Sequence, residues 1–191
     1  MIPSLLDQVV ALERALEAAG IPHAFGGALA LAFHIEEPRA TRDIDVNVFV
    51  GPDRAEAVFE SLPDAVAWDD DAVRRVAEQG QVRLFWGETP VDLFFSTHVF
   101  HDEASLHLER VPLDGTTIPI LAATELVVFK AFFDRTKDWA DIEAMIEARD
   151  ADVHRALGWL VDLLGADDHR VERLQALLVR RSSQEEPRFE P

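Results

Sequence analysis

Cysteine is absent from the 191 residues, which removes disulfides, thiolate metal sites and cysteine nucleophiles together. Lysine is almost absent as well. The chain carries 18 basic side chains, and only two, Lys130 and Lys137, are lysines. That scarcity has two readings: codon preference with chance survivors, or a place where a compact ammonium is needed instead of a planar fork. Long apolar runs are missing too. The run Ile118 to Phe133 is broken by Glu125 and Lys130, and nothing approaches the roughly 20 residues that span a bilayer. Met1 to Val10 lacks the basic start and apolar stretch of a secretory leader. A soluble, cytoplasmic protein with no membrane partner is therefore expected. Positive charge is short overall, with a net charge of −18, so the bulk field repels polyanions. A nucleic-acid partner would need a local basic patch or bridging metal ions.

Apolar residues make up 48% of the chain, enough for a sizeable core. Ser4 is placed as the N-cap of an amphipathic helix in which Leu5, Val9, Leu12 and Leu16 share a face, with Gly20 as its stop. A short extended piece, His23 to Phe25, leads through Gly26-Gly27 into an apolar helix from Ala28 to Ile35. Asp43 to Phe49 alternates polar and apolar residues, the pattern of a strand with one buried face. A helix is expected over Arg54 to Ser61, then a short strand and an acidic turn within Asp64 to Asp71. Gln81–Trp86 and Val91–Phe95 read as strands joined by Gly87 to Pro90 as a hairpin. A short helix is expected near His98 to Leu108. A second hairpin turns at Asp114-Gly115, and Pro112 and Pro119 mark both its strands as edges. From Ala122 the pattern is helical almost to Arg181. The fold class is α+β: a mixed β-sheet flanked by helices, with a helical C-terminal part.

The chemistry-bearing residues gather in a few segments. In a strand, Asp43 and Asp45 point to one face, about 7 Å apart by the standard rise, while Ile44 and Val46 enter the core. Two such carboxylates repel each other unless a cation lies between them, and hard oxygen ligands suit a divalent ion such as magnesium. Gly26 and Gly27 stand between strand and helix, where the backbone can approach a ligand closely and free N–H groups suit phosphate. A third carboxylate, Asp92, lies in the apolar strand Val91–Phe95, where an unpaired acid is expensive to bury. His98, His101 and His107 lack a supporting second cluster and read as surface or capping residues. Trp68, Trp86, Trp139 and Trp159 read as core or interface aromatics. Leu157, Leu160, Leu163 and Leu164, then Leu174, Leu177 and Leu178, read as bundle packing, with a homo-oligomer or partner contact as the alternative.

Taken in order, Gly26-Gly27, then Arg39-x-Thr41-x-Asp43-Ile44-Asp45, then Asp92 resemble the nucleotidyltransferase (DNA polymerase beta-like) superfamily. Ala28 departs from that pattern, since many members carry Ser there. The resemblance continues from Leu121 to Lys130 and on through Asp134-Arg135-Thr136-Lys137-Asp138-Trp139-Ala140-Asp141. That stretch is similar to bacterial AbiE-type and MenT-type toxin nucleotidyltransferases. The resemblance implies two magnesium (or manganese) ions among Asp43, Asp45 and Asp92, with Asp92 as general base. It implies a nucleoside triphosphate held by Gly26, Gly27, Ala28, Arg39, Thr41 and Arg42. It implies active-site roles for Lys130, Lys137, Asp138 and Asp141, with Lys130 preferred as the phosphate contact. The domains expected on this basis are a nucleotidyltransferase core over 1–121, a helical region over 122–181 that completes the active site, and a flexible tail over 182–191.

The leading expectation for the acceptor is an RNA 3′ end, that of tRNA, with the protein acting as a toxin restrained by a cognate antitoxin protein. A second enzyme class transfers the nucleotide to an aminoglycoside-like small molecule, which the acidic surface suits, or to a protein. A third class binds nucleotide or a partner without turnover, and the intact acidic triad speaks against it.

Overall fold

The N-terminal helix α1 (Leu5–Ala18) starts on a reciprocal cap: Ser4 Oγ accepts from the Asp7 amide at 3.2 Å, and the Asp7 carboxylate accepts from the Ser4 amide at 2.9 Å. The Ser4 hydroxyl and amide hold the Asp7 carboxyl below its ordinary range. Val9, Leu12 and Leu16 are buried, and Gly20, at φ +65°, ends the helix as only glycine does without strain. The computed structural model describes residues 3–185, and the chain forms two compact units, Met1–Ala122 and Ala123–Pro191.

After α1 the first unit continues through β1 (His23–Phe25), α2 (Gly27–His34), β2 (Ile44–Val48), a 3-10 turn (Pro52–Arg54) and α3 (Ala55–Ser61). It goes on through β3 (Val66–Ala67), α4 (Asp70–Gln79), β4 (Gln81–Trp86), β5 (Thr89–Phe95), α5 (Val99–Leu106), β6 (Leu108–Leu113) and β7 (Thr116–Leu121). The strands form one seven-stranded sheet in the order β3-β4-β5-β2-β1-β7-β6. β2 runs parallel to β5 and β1 parallel to β7, while the other neighbours are antiparallel. Central strands bury Phe25, Ile44, Val46, Val48, Leu93 and Phe95. β4 alternates cleanly: Val82 and Leu84 are buried, while Gln81, Arg83 and Phe85 are exposed, as a strand with one solvated face must.

Two features differ from what the sequence suggests. Residues Asp70–Gln79 form a helix, capped by Asp69, which accepts from the Ala72 amide at 2.8 Å, and closed by Gly80 at φ +68°. Its buried face is Ala72 and Val76, one turn apart in an otherwise charged segment, and the acidic run Asp69 to Asp71 that starts the helix also reads as a turn. The prolines of the second hairpin also mislead in part. β6 is an edge, but β7 lies between β1 and β6. Pro119 is tolerated there because the pairing of β7 with β1 is confined to Phe25 and Ile120.

The second unit is all helix: α6 (Ala123–Phe133), α7 (Thr136–Ala148), α8 (Val153–Leu164) and α9 (His169–Glu185). Leu126, Val127, Ala131, Trp139, Ile142, Met145, Leu160, Val171 and Leu174 are buried, so Trp139 is a core residue. An ion pair joins half-buried Arg155 to buried Glu125 at 2.6 Å, and the Thr124 hydroxyl accepts from the Asp152 amide at 2.9 Å. Helix α9 runs past Arg181 to Glu185; the rest of the expected tail lies outside the described residues. The architecture is the expected mixed sheet flanked by helices. Among the described residues, no helix is long and apolar enough to cross a membrane.

Candidate active site

Each unit carries its own cluster of chemistry-bearing residues. In the sheet unit the cluster begins at the β1–α2 turn. The Gly26 amide donates to the Asp45 carbonyl at 2.9 Å, which ties the turn to β2. Gly27 sits at φ +55°, and a Cβ there would lie 2.5 Å from the Asp45 Cγ. A Cβ on Gly26 would meet the Asn47 side-chain nitrogen at 2.8 Å. Both glycines are thus required by a carboxylate and an amide packed against the backbone, and Gly27 is also required by its left-handed conformation. The start of α2 faces Asp45 at this point. Ala28 is buried.

The Arg39–Asp43 segment leads into β2. Arg39 and Arg42 are exposed, while Thr41 and Asp43 are half-buried. The Thr41 hydroxyl donates to the Asp43 carboxylate and accepts from the Asp43 amide at 3.3 Å. Asp43 therefore sits in a local turn one residue ahead of the strand.

Asp45 and Asp92 are direct register partners on the parallel strands β2 and β5. Arg83 on β4 is in turn the register partner of Asp92. Partners across a sheet project to the same face, so Asp45, Asp92 and Arg83 form one rung across three strands. The Arg83 guanidinium grips Asp92 with both prongs, Nε to Oδ1 at 2.7 Å and Nη2 to Oδ2 at 2.6 Å. That hydrogen-bonded pairing, then the charge of Asp92 and smaller contributions from Asp43 and Asp45, holds the guanidinium protonated well beyond its ordinary range. Three carboxylates thus act on one cation at this face.

That donor set suits a divalent cation by its chemistry, hard and anionic oxygens. The three acids are not gathered as a closed ligand group, and among the described residues no set of three or more acid or imidazole side chains is. The reason is visible at two of them: Arg83 occupies both oxygens of Asp92, and Thr41 engages Asp43. Arg83 was not among the residues singled out in the sequence. On a strand with one solvated face an arginine is ordinary, and only the β4–β5 register gives it significance.

In the helical unit, Lys130 is 3% exposed. Its Nζ lies 2.6 Å from Asp141 Oδ2 and 3.8 Å from Asp138 Oδ1. Asp138 is fully buried and also accepts from Arg135, Nε at 2.6 Å and Nη2 at 3.2 Å. Asp138 and Asp141 share a face of α7, as their spacing implies. The ammonium favoured from sequence as the phosphate contact is thus committed to two carboxylates of its own unit, while Lys137 is exposed. The histidines of α5 are local: His98 caps the helix, accepting from the Phe100 amide at 3.2 Å, and His101 and His107 bond to backbone carbonyls within four residues. They assemble no site.

A family model described as nucleotidyl transferase AbiEii toxin, type IV toxin–antitoxin system, matches residues 10–190. A comparison with curated proteins gave no match. Among solved structures, the chain is similar to the antibiotic-resistance enzyme ANT(2'')-Ia in complex with adenylyl-2''-tobramycin, at 17% identity and a TM-score of 0.51, covering 93% of this chain and 98% of that one. It is similar to an antigenic nucleotidyltransferase-like protein from Paracoccidioides brasiliensis, at 14% identity and a TM-score of 0.52, covering 93% and 88%. It is also similar to the lincosamide antibiotic adenylyltransferase LnuA in its lincomycin-bound form, at 12% identity and a TM-score of 0.51, covering 74% and 96%. Identities at this level show the fold alone.

Proposed function

The chain belongs to the AbiEii nucleotidyltransferase toxin family, and from that premise we propose that it transfers a nucleoside monophosphate from a nucleoside triphosphate to the 3′ end of an RNA, that of tRNA, as the toxin of a toxin–antitoxin pair. That it is a nucleotidyltransferase follows from the family; the acceptor and the biological role are the proposal. The observation that carries the reading is the rung of Asp45 and Asp92 beside the Gly26–Gly27 turn. It sets acidic oxygens next to the backbone amides at the start of α2, a place that suits phosphate.

The proposed roles follow from this placement. Asp43, Asp45 and Asp92 would hold magnesium or manganese. Such ions, when bound, neutralise charge on the triphosphate and lower the proton affinity of the attacking hydroxyl. The amides at Gly27 and Ala28 receive phosphate oxygens, while that of Gly26, bonded to the Asp45 carbonyl, holds the turn against β2, and Arg39, Thr41 and Arg42 border the approach to Asp43. Asp92 accepts the proton of the acceptor hydroxyl. Attack at the α-phosphorus forms the new phosphodiester bond, and the bond to pyrophosphate breaks. Lys130, Lys137, Asp138 and Asp141 are proposed as functional residues of the helical unit, Lys130 by fixing the two carboxylates.

A net charge of −18 favours a second reading, transfer to a cationic small molecule such as an aminoglycoside. The test is to incubate the protein with each α-labelled triphosphate and, in parallel, with total cellular RNA or a panel of aminoglycosides. Label in the tRNA band, with growth arrest on expression in a bacterial host, is expected. Label confined to an aminoglycoside, with harmless expression, would move the assignment to the second class.

A further inference from the structure

The Arg83–Asp92 pair raises a difficulty for the chemistry proposed above. Asp92 is the third carboxylate, and both of its oxygens are taken by a guanidinium. A carboxylate so gripped has one lone pair of each oxygen engaged and faces a positive charge with which any second cation must compete. A cross-strand ion pair that served only the sheet would need one acid opposite one base. This rung has two acids against one base, and the field of Asp43 reaches the same guanidinium.

Burial supports a movable contact. The Arg83 side chain is 54% exposed, whereas that of Asp92 is 14% exposed. The acid is fixed in the sheet and the base is tethered to it from the solvent side. Gln81 and Phe85, the neighbours of Arg83 on the same face of β4, are exposed as well, so a departing guanidinium regains water at little cost.

We infer that Arg83 is a positioning residue that occupies Asp92 in competition with a divalent cation, so that the third carboxylate is released only when the ion loads. The inference rests on the acidic rung being the ion site. The arginine serves as an internal counter-ion, since two adjacent carboxylates in one rung repel each other when nothing lies between them. Loading exchanges one cation for another, and the freed guanidinium carries its charge into solvent.

The test uses the full chain and Mn2+ alone, with binding followed by electron paramagnetic resonance, so no turnover is needed. Arg83→Gln removes the competitor and should bind Mn2+ about tenfold more tightly than wild type, a difference of about 1.4 kcal/mol. Arg83→Lys keeps the charge but cannot engage both oxygens, and should fall between them. Asp45→Asn should bind more weakly than wild type, and circular dichroism checks that each variant is folded. If Arg83→Gln binds Mn2+ no better than wild type while Asp45→Asn binds worse, the competition is overturned and the ion site stands. If wild type, Arg83→Gln and Asp45→Asn all fail to bind Mn2+ at millimolar concentrations, the ion site and the competition fall together.

Discussion

The two lysines show how position decides what one residue type does. Lys130 is buried against Asp138 and Asp141, and its four-carbon stem places a compact charge where a guanidinium fork would overfill the core. Removing it leaves buried carboxylates short of a partner. Lys130→Met should therefore cost about 3–5 kcal/mol of stability, and Lys130→Arg should also lower the melting temperature. Lys137 is exposed, and Lys137→Arg should leave stability within about 0.5 kcal/mol of wild type. Urea denaturation of the variants checks this. Equal, small effects at both positions would mean that the scarcity of lysine reflects codon usage alone. The sequence marks the pair as unusual. The apolar helix face that Lys130 follows implies a buried stem, but not that the ammonium is paired within the helices, because the partner acids come from the next helix.

At the scale of elements, legibility followed the strength of the period. β2 and β4 alternate strictly and were readable, as were the capped helix α1 and the glycine turn ahead of α2. Helix α4 is amphipathic and capped too, but its acidic start, Asp69 to Asp71, reads equally as a turn. Those caps make it testable: Asp69→Ala removes the bond to the Ala72 amide and should cost about 1 kcal/mol while leaving transfer activity unchanged. A variant as stable as wild type would show that the cap contributes nothing. Strand register was the other blind spot. Asp45 and Asp92 could each be picked out as acids on strands, but that they face each other, and that Arg83 joins them, depends on the order β4-β5-β2. Nothing local to residues 81–86 encodes that order.

For the molecule as a whole, the sheet unit carries the Asp45–Asp92–Arg83 rung and the helical unit the enclosed Lys130–Asp138–Asp141 cluster. The acidic excess of the chain disfavours long contact with a polyanion, so an RNA acceptor must be engaged at few phosphates. On the proposed mechanism, nucleotidyl transfer depends on the carboxylate rung. The most direct measurement is the rate of transfer from α-labelled nucleoside triphosphates to total RNA by wild type and by Asp45→Asn, both shown to be folded by circular dichroism. Labelled RNA is expected with wild type, and a rate at least about one hundredfold lower with the variant. Labelling by a folded Asp45→Asn protein at the wild-type rate would contradict that dependence.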